Sequence, residues 1–544
     1  MTGLLIKNGL VADGTGKKVF AGHVLVNKGR IEEVIEKGQS LPVADSVIDA
    51  HGMVVAPGFI DMHSHSDWVV PLKDHEIALK CLLEQGVTTI VGGNCGFTPA
   101  PITEKTRRLI DLYHFNLMVD RPLSYEWNGL DEFFKHVENT RPLVNTAHLM
   151  GHASIRFAMA DTRRGPMKKD EHTACIDELK KCLDQGACGV SFGLGYDPGM
   201  YSPKEEIETF CRVAASRNKP ATVHIKALSR ISPTYPPTYV KPHNIRALRE
   251  IIDIAEKAEV RLQVSHLVFV GKRSWSTAQA SVRIIEEARK RGLDVMFDAF
   301  PYTMGNTTVN AVLPYWFLEK LPQWYTNPWA RTLLRAELAA GFFLLGFGYR
   351  DFQLMDAGCE KWAHLNGMRI PGIASSWGCS QFEALLRLSA ESNGSALVLL
   401  HTYSGEPGNE AALESVLSSN LCLFETDALI RFSGYPNPAA MGTFPKILGR
   451  YVREKNLFSL ENAVKRMTSE SARRFGLRDR GVIAKGKCAD IVIFDPKTIR
   501  DNPGQGKNPS VGPEGIVHVF VNGVQAVKNG AYMPGVRVGE VLRV

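Results

Sequence analysis

The sequence predicts an α/β fold: a (β/α)8 barrel of the TIM type carrying a small β-sandwich built from both termini. Three observations predict it. Between Gly58 and about Leu477, short Val- and Ile-rich runs alternate with helical segments. The residues before and after that span share another texture, in which short apolar–polar alternations are broken by turn dipeptides such as NG, DG and KG. The first run of the span ends in two histidines one residue apart, in VAPGFIDMHSHSD over Val55–Asp67. Residues i and i+2 of a strand share a face, so His63 and His65 leave it together, with Asp61 on the same side.

The 544 residues exceed one ordinary core and suit a large barrel with an appended domain. Hydrophobic residues at 44% and charged residues at 22% are ordinary for a globular protein. The net charge of +7 comes from 64 basic and 57 acidic residues spread along the chain. No block of like charge stands out, so neither a nucleic acid nor a membrane surface is expected as a partner. The ten cysteines include no C-x-x-C pair, the chain opens with no secretory leader, and no apolar run approaches the roughly 20 residues of a membrane span. A reducing, cytoplasmic setting with free thiols is the expectation.

Residues 1–57 read as the first part of the sandwich, 58–477 as the barrel and 478–544 as the second part of the sandwich. Barrel strands are predicted over 58–65, 87–93, 142–149, 187–192, 220–225, 260–266, 293–298, 396–401 and 421–426. That is one too many, and 396–401 is the first to set aside. Helices are predicted over 74–85, 170–185, 204–217, 244–258, 277–291, 409–419 and 459–474. Residues 314–372 read as an irregular insertion rich in Trp, Gly and Phe, which suits a lid over the site and an ordinary surface excursion equally.

Catalytic groups of such a barrel come from the C-terminal ends of its strands. Metal-ligand residue types recur there: His63 and His65, Cys95 in VGGNCG, His224 in PATVHI, His266 in VRLQVSH, and Asp427 in CLFETD. Taken singly, each fits a buried core residue, an inert thiol or a turn residue. Jointly, six N, S and O donors on one rim suit one or two zinc-like ions.

The run VAPGFIDMHSHSD resembles the opening of the amidohydrolase superfamily. GVTTIVGGNCGFTPAP, GACGVSFGLGYDPGMYS, VSHLVFVGKRSW, FDAFPYTMGNTT and the MGTFPKILGRYVREKNLFSLENAVKRMTSESARRFGL segment resemble the D-aminoacylase family of N-acyl-D-amino-acid deacylases. RGVIAKGKCADIVIFDP resembles that family's return into the sandwich, so the likeness spans nearly the whole chain. The resemblance implies a tight zinc site at Cys95, His224 and His266. It implies a weaker second site at His63, His65 and Asp427 with Cys95 shared. Asp427 would be the general acid/base, and Tyr196 and Tyr302 would contact a small-molecule amide substrate.

Two positions depart from the family pattern. Val268 stands where the family has a lysine, and Asn437-Pro438-Ala439 stands where it has His-Pro-Arg. Those basic residues hold a substrate carboxylate, which an apolar side chain does not replace. Lys226, Arg230, Lys272 or Arg431 could supply the charge instead. The departures leave a cyclic or neutral amide open as an alternative to an N-acyl-D-amino acid. A barrel that has lost its chemistry and serves as a scaffold is the third reading.

Overall fold

The computed structural model describes residues 3–104, 106–107, 118–160, 164–236, 241–502 and 511–544. The chain opens with β1 (Leu4–Val11), β2 (Phe20–Asn27), β3 (Arg30–Glu36), β4 (Ser46–Asp49) and β5 (Val54–Pro57). β5 passes through Gly58 into β6 (Phe59–Asp61), which begins the parallel strands. A side chain at Gly58 would stand 2.2 Å from Thr88 Oγ1, so only glycine fits this crossing.

The parallel strands continue with β7 (Val87–Gly92), β8 (Asn145–His148), β9 (Met150–Gly151), β10 (Val190–Gly193), β11 (Ala221–His224), β12 (Leu262–Val264) and β13 (Val295–Ala299). They are buried on both faces, which is why they read as unbroken apolar or β-branched runs. The helices between them lie close to their predicted spans: Lys169–Asp184, Lys204–Ser216, His243–Ala258 and Ala278–Lys290.

β14 (Gly305–Thr308), β15 (Phe352–Asp356) and β16 (Leu397–Leu400) then form a separate antiparallel sheet in the order β14-β16-β15. The run at 396–401 is therefore a strand, but the central one of this accessory sheet. Residues 314–372 are not irregular: they hold β15 and the helix Pro328–Leu345. That helix carries apolar residues all round, which hides its period in the sequence. The accessory unit has its own buried cluster, running from Val309 to Leu400.

β17 (Cys422–Phe424) rejoins the parallel strands beside β13. Two ladders result, β6-β7-β8 and β9-β10-β11-β12-β13-β17, joined by the chain between β8 and β9. The last strand reaches the first through side chains and backbone. Thr426 donates to the Asp61 carboxylate from its N–H (3.0 Å) and its hydroxyl (2.7 Å), and the Asp427 N–H donates to the His63 carbonyl at 3.1 Å.

The chain ends with β18 (Ile491–Phe494), β19 (Ile516–Val521), β20 (Val524–Lys528) and β21 (Ala531–Tyr532). Both ends meet in one nine-stranded sheet of order β21-β20-β19-β18-β5-β1-β2-β3, with β4 beside β1. The junction is antiparallel, with Ile491 opposite Pro57 and Phe494 opposite Val54. Among the described residues, no helix is long and apolar enough to cross a membrane.

Candidate metal centre

In-register parallel pairing sets the strand ends side by side. Gly92 pairs with His148, and Gly193 with His224. The residues that follow the strands therefore share one rim, and the chain must turn sharply there to aim them inward. Cys95, His266 and Asp427 have φ of +55°, +30° and +45°, a region that non-glycine residues rarely adopt. Three candidate ligands thus sit on strained backbone, which persists only where the surroundings fix it.

Cys95 Sγ is the hub. It lies 3.3 Å from His63 Nε2, 3.4 Å from His266 Nε2 and 3.9 Å from His224 Nδ1. Asp427 Oδ1 lies 3.4 Å from His63 Nε2 and 3.3 Å from His65 Nε2. Ligand atoms of His63, Cys95, His266 and Asp427 all fall within 4.8 Å of one another. His65 joins this group through Asp427, and His224 joins it through Cys95. The tightest cluster thus takes members from both sites that the sequence reading separated.

Electrostatics mark Cys95 as a thiolate. Burial above all pushes the Cys81, Cys188, Cys211 and Cys422 thiols up to about 12. Burial opposes ionisation of Cys95 too, but His63 and His266 hold it well below its usual value. Burial likewise opposes the His65 imidazolium, yet its hydrogen bonds to Asp427 and Cys95 raise it to about 9. Burial also disfavours the Asp427 carboxylate, and His266 and the His65 hydrogen bond pull it back below its ordinary range. A thiolate, a carboxylate and imidazoles that would give up their protons on binding, mostly buried, are the donor set of a zinc-like ion. Nδ1 of His65 and Nδ1 of His266 are buried without a hydrogen-bond partner in the structure.

Sequence reasoning missed the carboxylates behind the rim. Asp298 Oδ1 accepts the His266 N–H at 2.7 Å and faces His63 Nδ1 at 3.2 Å. Its Oδ2 accepts Gln263 Nε2 at 2.7 Å, and Gln263 Oε1 accepts Arg474 Nε at 3.0 Å. With its proton on Nδ1, His63 turns Nε2 toward Cys95 and Asp427. Glu425 is fully buried and forms a second close group with His63 and Asp298. The signal was present for Asp298, which follows the apolar run of β13 as the histidines follow theirs. Asp298→Asn is expected to weaken metal retention by roughly 10–100-fold. Chelator competition measures that directly.

The predicted substrate contacts divide. Tyr196 donates its hydroxyl to the Cys95 carbonyl at 2.8 Å and sets its ring edge-on to His224, 4.9 Å away. Tyr302 is 1% exposed, and its hydroxyl donates to Asp501 at 3.2 Å. It packs with Val268, Phe300 and Ala439, so the two departing positions share one apolar cluster. Arg431 is paired with Asp356 at 2.8 Å and Lys272 with Glu406. Lys226, two residues past His224, is half-buried over the Tyr235 ring at 5.6 Å, and burial lowers its pKa.

Residues 46–312 and 427–527 match the model of the amidohydrolase family. The N-acyl-D-glutamate deacylase of Alcaligenes xylosoxydans xylosoxydans is 30% identical over 547 residues, covering 99% of this chain and 96% of that protein. The D-aminoacylase of the same organism is 28% identical over 540 residues, covering 99% and 97%. The crystal structure of Bordetella bronchiseptica N-acyl-D-glutamate deacylase holds zinc and a phosphonate mimic of the tetrahedral intermediate. It matches with a TM-score of 0.79 at 30% identity over 100% of both chains. A D-aminoacylase structure with a binuclear metal centre matches at 0.80 and 27% identity, also over 100% of both chains. An L-hydantoinase from Arthrobacter aurescens, at 0.56 and 16% identity, shares the fold alone. The metal-ligand cluster, the family model and these full-length likenesses agree: the chain belongs to the amidohydrolase family, in its D-aminoacylase branch.

Proposed function

We propose that this protein is a metal-dependent hydrolase that cleaves the amide C–N bond of N-acyl-D-amino acids. The observation that carries the reading is the placement of Asp427, a carboxylate 3.3–3.4 Å from two imidazoles and in the same cluster as the Cys95 thiolate. We read the two parallel ladders as one closed (β/α)8 barrel over 58–477, and the terminal strands of 1–57 and 478–544 as the sandwich. The ten cysteines are all free, which fits a reducing, cytoplasmic setting.

Cys95, His224 and His266 would hold one zinc ion tightly, and His63, His65 and Asp427 a second, weaker one. Held there, a zinc ion would supply a water acidified to a pKa of about 7 and a polarised amide carbonyl. Asp427 takes the proton from the attacking water at its carboxylate and hands one to the leaving amine nitrogen. Tyr196, anchored on the Cys95 carbonyl, lines the approach beside His224.

The substrate carboxylate needs a cation, and Val268 and Ala439 supply none. Of the four candidate cations, Lys272 and Arg431 are held by carboxylates of the protein, and Arg230 is exposed on the surface. Lys226 has no ion-pair partner within 4.0 Å among the described residues and stands next to the His224 strand end. We assign it the carboxylate. The full-length relatives are deacylases of linear N-acyl-D-amino acids, and they favour this reading over a cyclic amide.

The test offers N-acetyl-D- and L-amino acids, their carboxamides and a cyclic amide to the zinc-loaded enzyme. D-selective release of acetate is expected from the free acids. Lys226→Ala should raise KM for them by roughly 10–100-fold, the worth of one charge-assisted hydrogen bond, and leave the carboxamides unaffected. Turnover of the carboxamides or the cyclic amide alone would sink both the substrate class and the role of Lys226.

A further inference from the structure

The helix Pro328–Leu345 is 18 residues long, about 27 Å at the usual rise, and has two apolar faces. Ala330, Leu334, Leu338 and Phe342 recur every fourth residue and bury themselves in the accessory unit. The opposite side carries Trp329, 67% exposed, Leu333, 41%, Phe343, 69%, and Leu344, 44%. Four of the twelve exposed large hydrophobic residues in the described structure thus stand on one helix. Exposed Ala336 and Ala340 complete the row. Trp329, Leu333, Ala336, Ala340 and Phe343 follow one another at spacings of four, three, four and three. At about 100° per residue they stay within one stripe, on the side away from the buried face. Surface helices ordinarily carry polar residues there. The 4-3-4-3 spacing is instead the seam by which one helix packs along another.

We propose that two copies of this chain pair antiparallel through this stripe. The sequence of the seam is self-complementary, bulky at its N-terminal end and small in the middle. The antiparallel register that lays Trp329 of one copy over Ala340 of the other also lays Leu333 over Ala336. The two-fold axis repeats both contacts, so a knob meets a small residue at every one of these layers. Phe343 then falls opposite Thr326, just ahead of the other helix.

The size fits a reversible dimer. An aromatic side chain offers about 150–250 Å², so at these exposures the stripe leaves roughly 400–500 Å² of apolar surface per chain. Two stripes together approach the roughly 1,000 Å² at which a specific interface begins, at its small end. The dimer is therefore concentration-dependent. The helix belongs to the accessory unit and none of the candidate ligands lies on it, so pairing leaves the site residues in place.

The experiment is sedimentation velocity on the metal-loaded, full-length protein over a broad concentration range. Two variants accompany it: Trp329→Glu/Phe343→Glu, which charges the knobs, and Ala340→Arg, which fills a small position. Circular dichroism and hydrolysis rate confirm that each variant is folded. The wild type should move from one chain toward two as concentration rises, and both variants should stay at one chain. A wild type that remains one chain at the highest attainable concentration overturns the proposal. So does a dimer that both variants retain at unchanged affinity. Binding of the wild-type monomer to phosphatidylcholine vesicles, lost in both variants, would assign the stripe to a lipid surface instead and equally overturn it.

Discussion

Asp427→Asn is expected to keep its tightly held metal and lose roughly 10²–10⁴-fold in kcat, the range of a positioned proton-transfer group. The amide preserves shape and hydrogen bonding to His63 and His65, both within 3.4 Å of the native carboxylate. What it cannot do is take a proton from water. KM should change little, since the lost interaction belongs to the transition state. Metal analysis separates the two tasks of this residue. Normal metal content with near-normal turnover removes Asp427 from proton transfer. Metal loss in step with turnover makes it a ligand first.

Cys95→Ala is expected to empty the site. Its sulfur is the atom that three imidazoles face at 3.3–3.9 Å. Removal also takes away a negative charge that, together with Asp427, holds His63, His65 and His266 above their usual values. The remaining imidazoles then repel one another's protons, and water must fill the gap. Zinc per chain should fall to background after dialysis, with turnover lost in proportion, while the circular dichroism spectrum keeps its shape. Full zinc content in this variant would displace Cys95 from the ligand set.

Much of this centre was legible in the sequence because strand ends follow a simple grammar. A β-branched or apolar run that stops at a histidine, cysteine or aspartate names its own last residue, and His63, Cys95, His224, His266 and Asp427 all follow such runs. Three kinds of information were not there. Asp298 follows the same grammar, but its role depends on a strand-to-strand contact with His63, 235 residues away. Which ligands cluster tightest depends on side-chain directions set by the positive φ values at Cys95, His266 and Asp427. The accessory sheet was misread for another reason. Leu397–Leu400 is as apolar as a buried parallel strand, and local pattern does not report a partner's direction. The partners of the charged candidates were hidden as well: Arg431 and Lys272 read as available until Asp356 and Glu406 came beside them.

The crossing at Gly58 ties the metal centre to both ends of the chain. β5 lies between β1 and β18 in the terminal sheet, and six and eight residues beyond its last residue, Pro57, the chain delivers His63 and His65. The sheet is thus a clasp on the ligand strand, and a clasp transmits force both ways. Free energy gained by an ion at the rim is shared with strands contributed by the first and last segments of the sequence. Chelation would loosen the seam between β5 and β18, and trimming β18 would slacken the histidine pair from behind. Residues on opposite ends of the protein, with no contact to any substrate, thereby become part of what sets how firmly it keeps its metal.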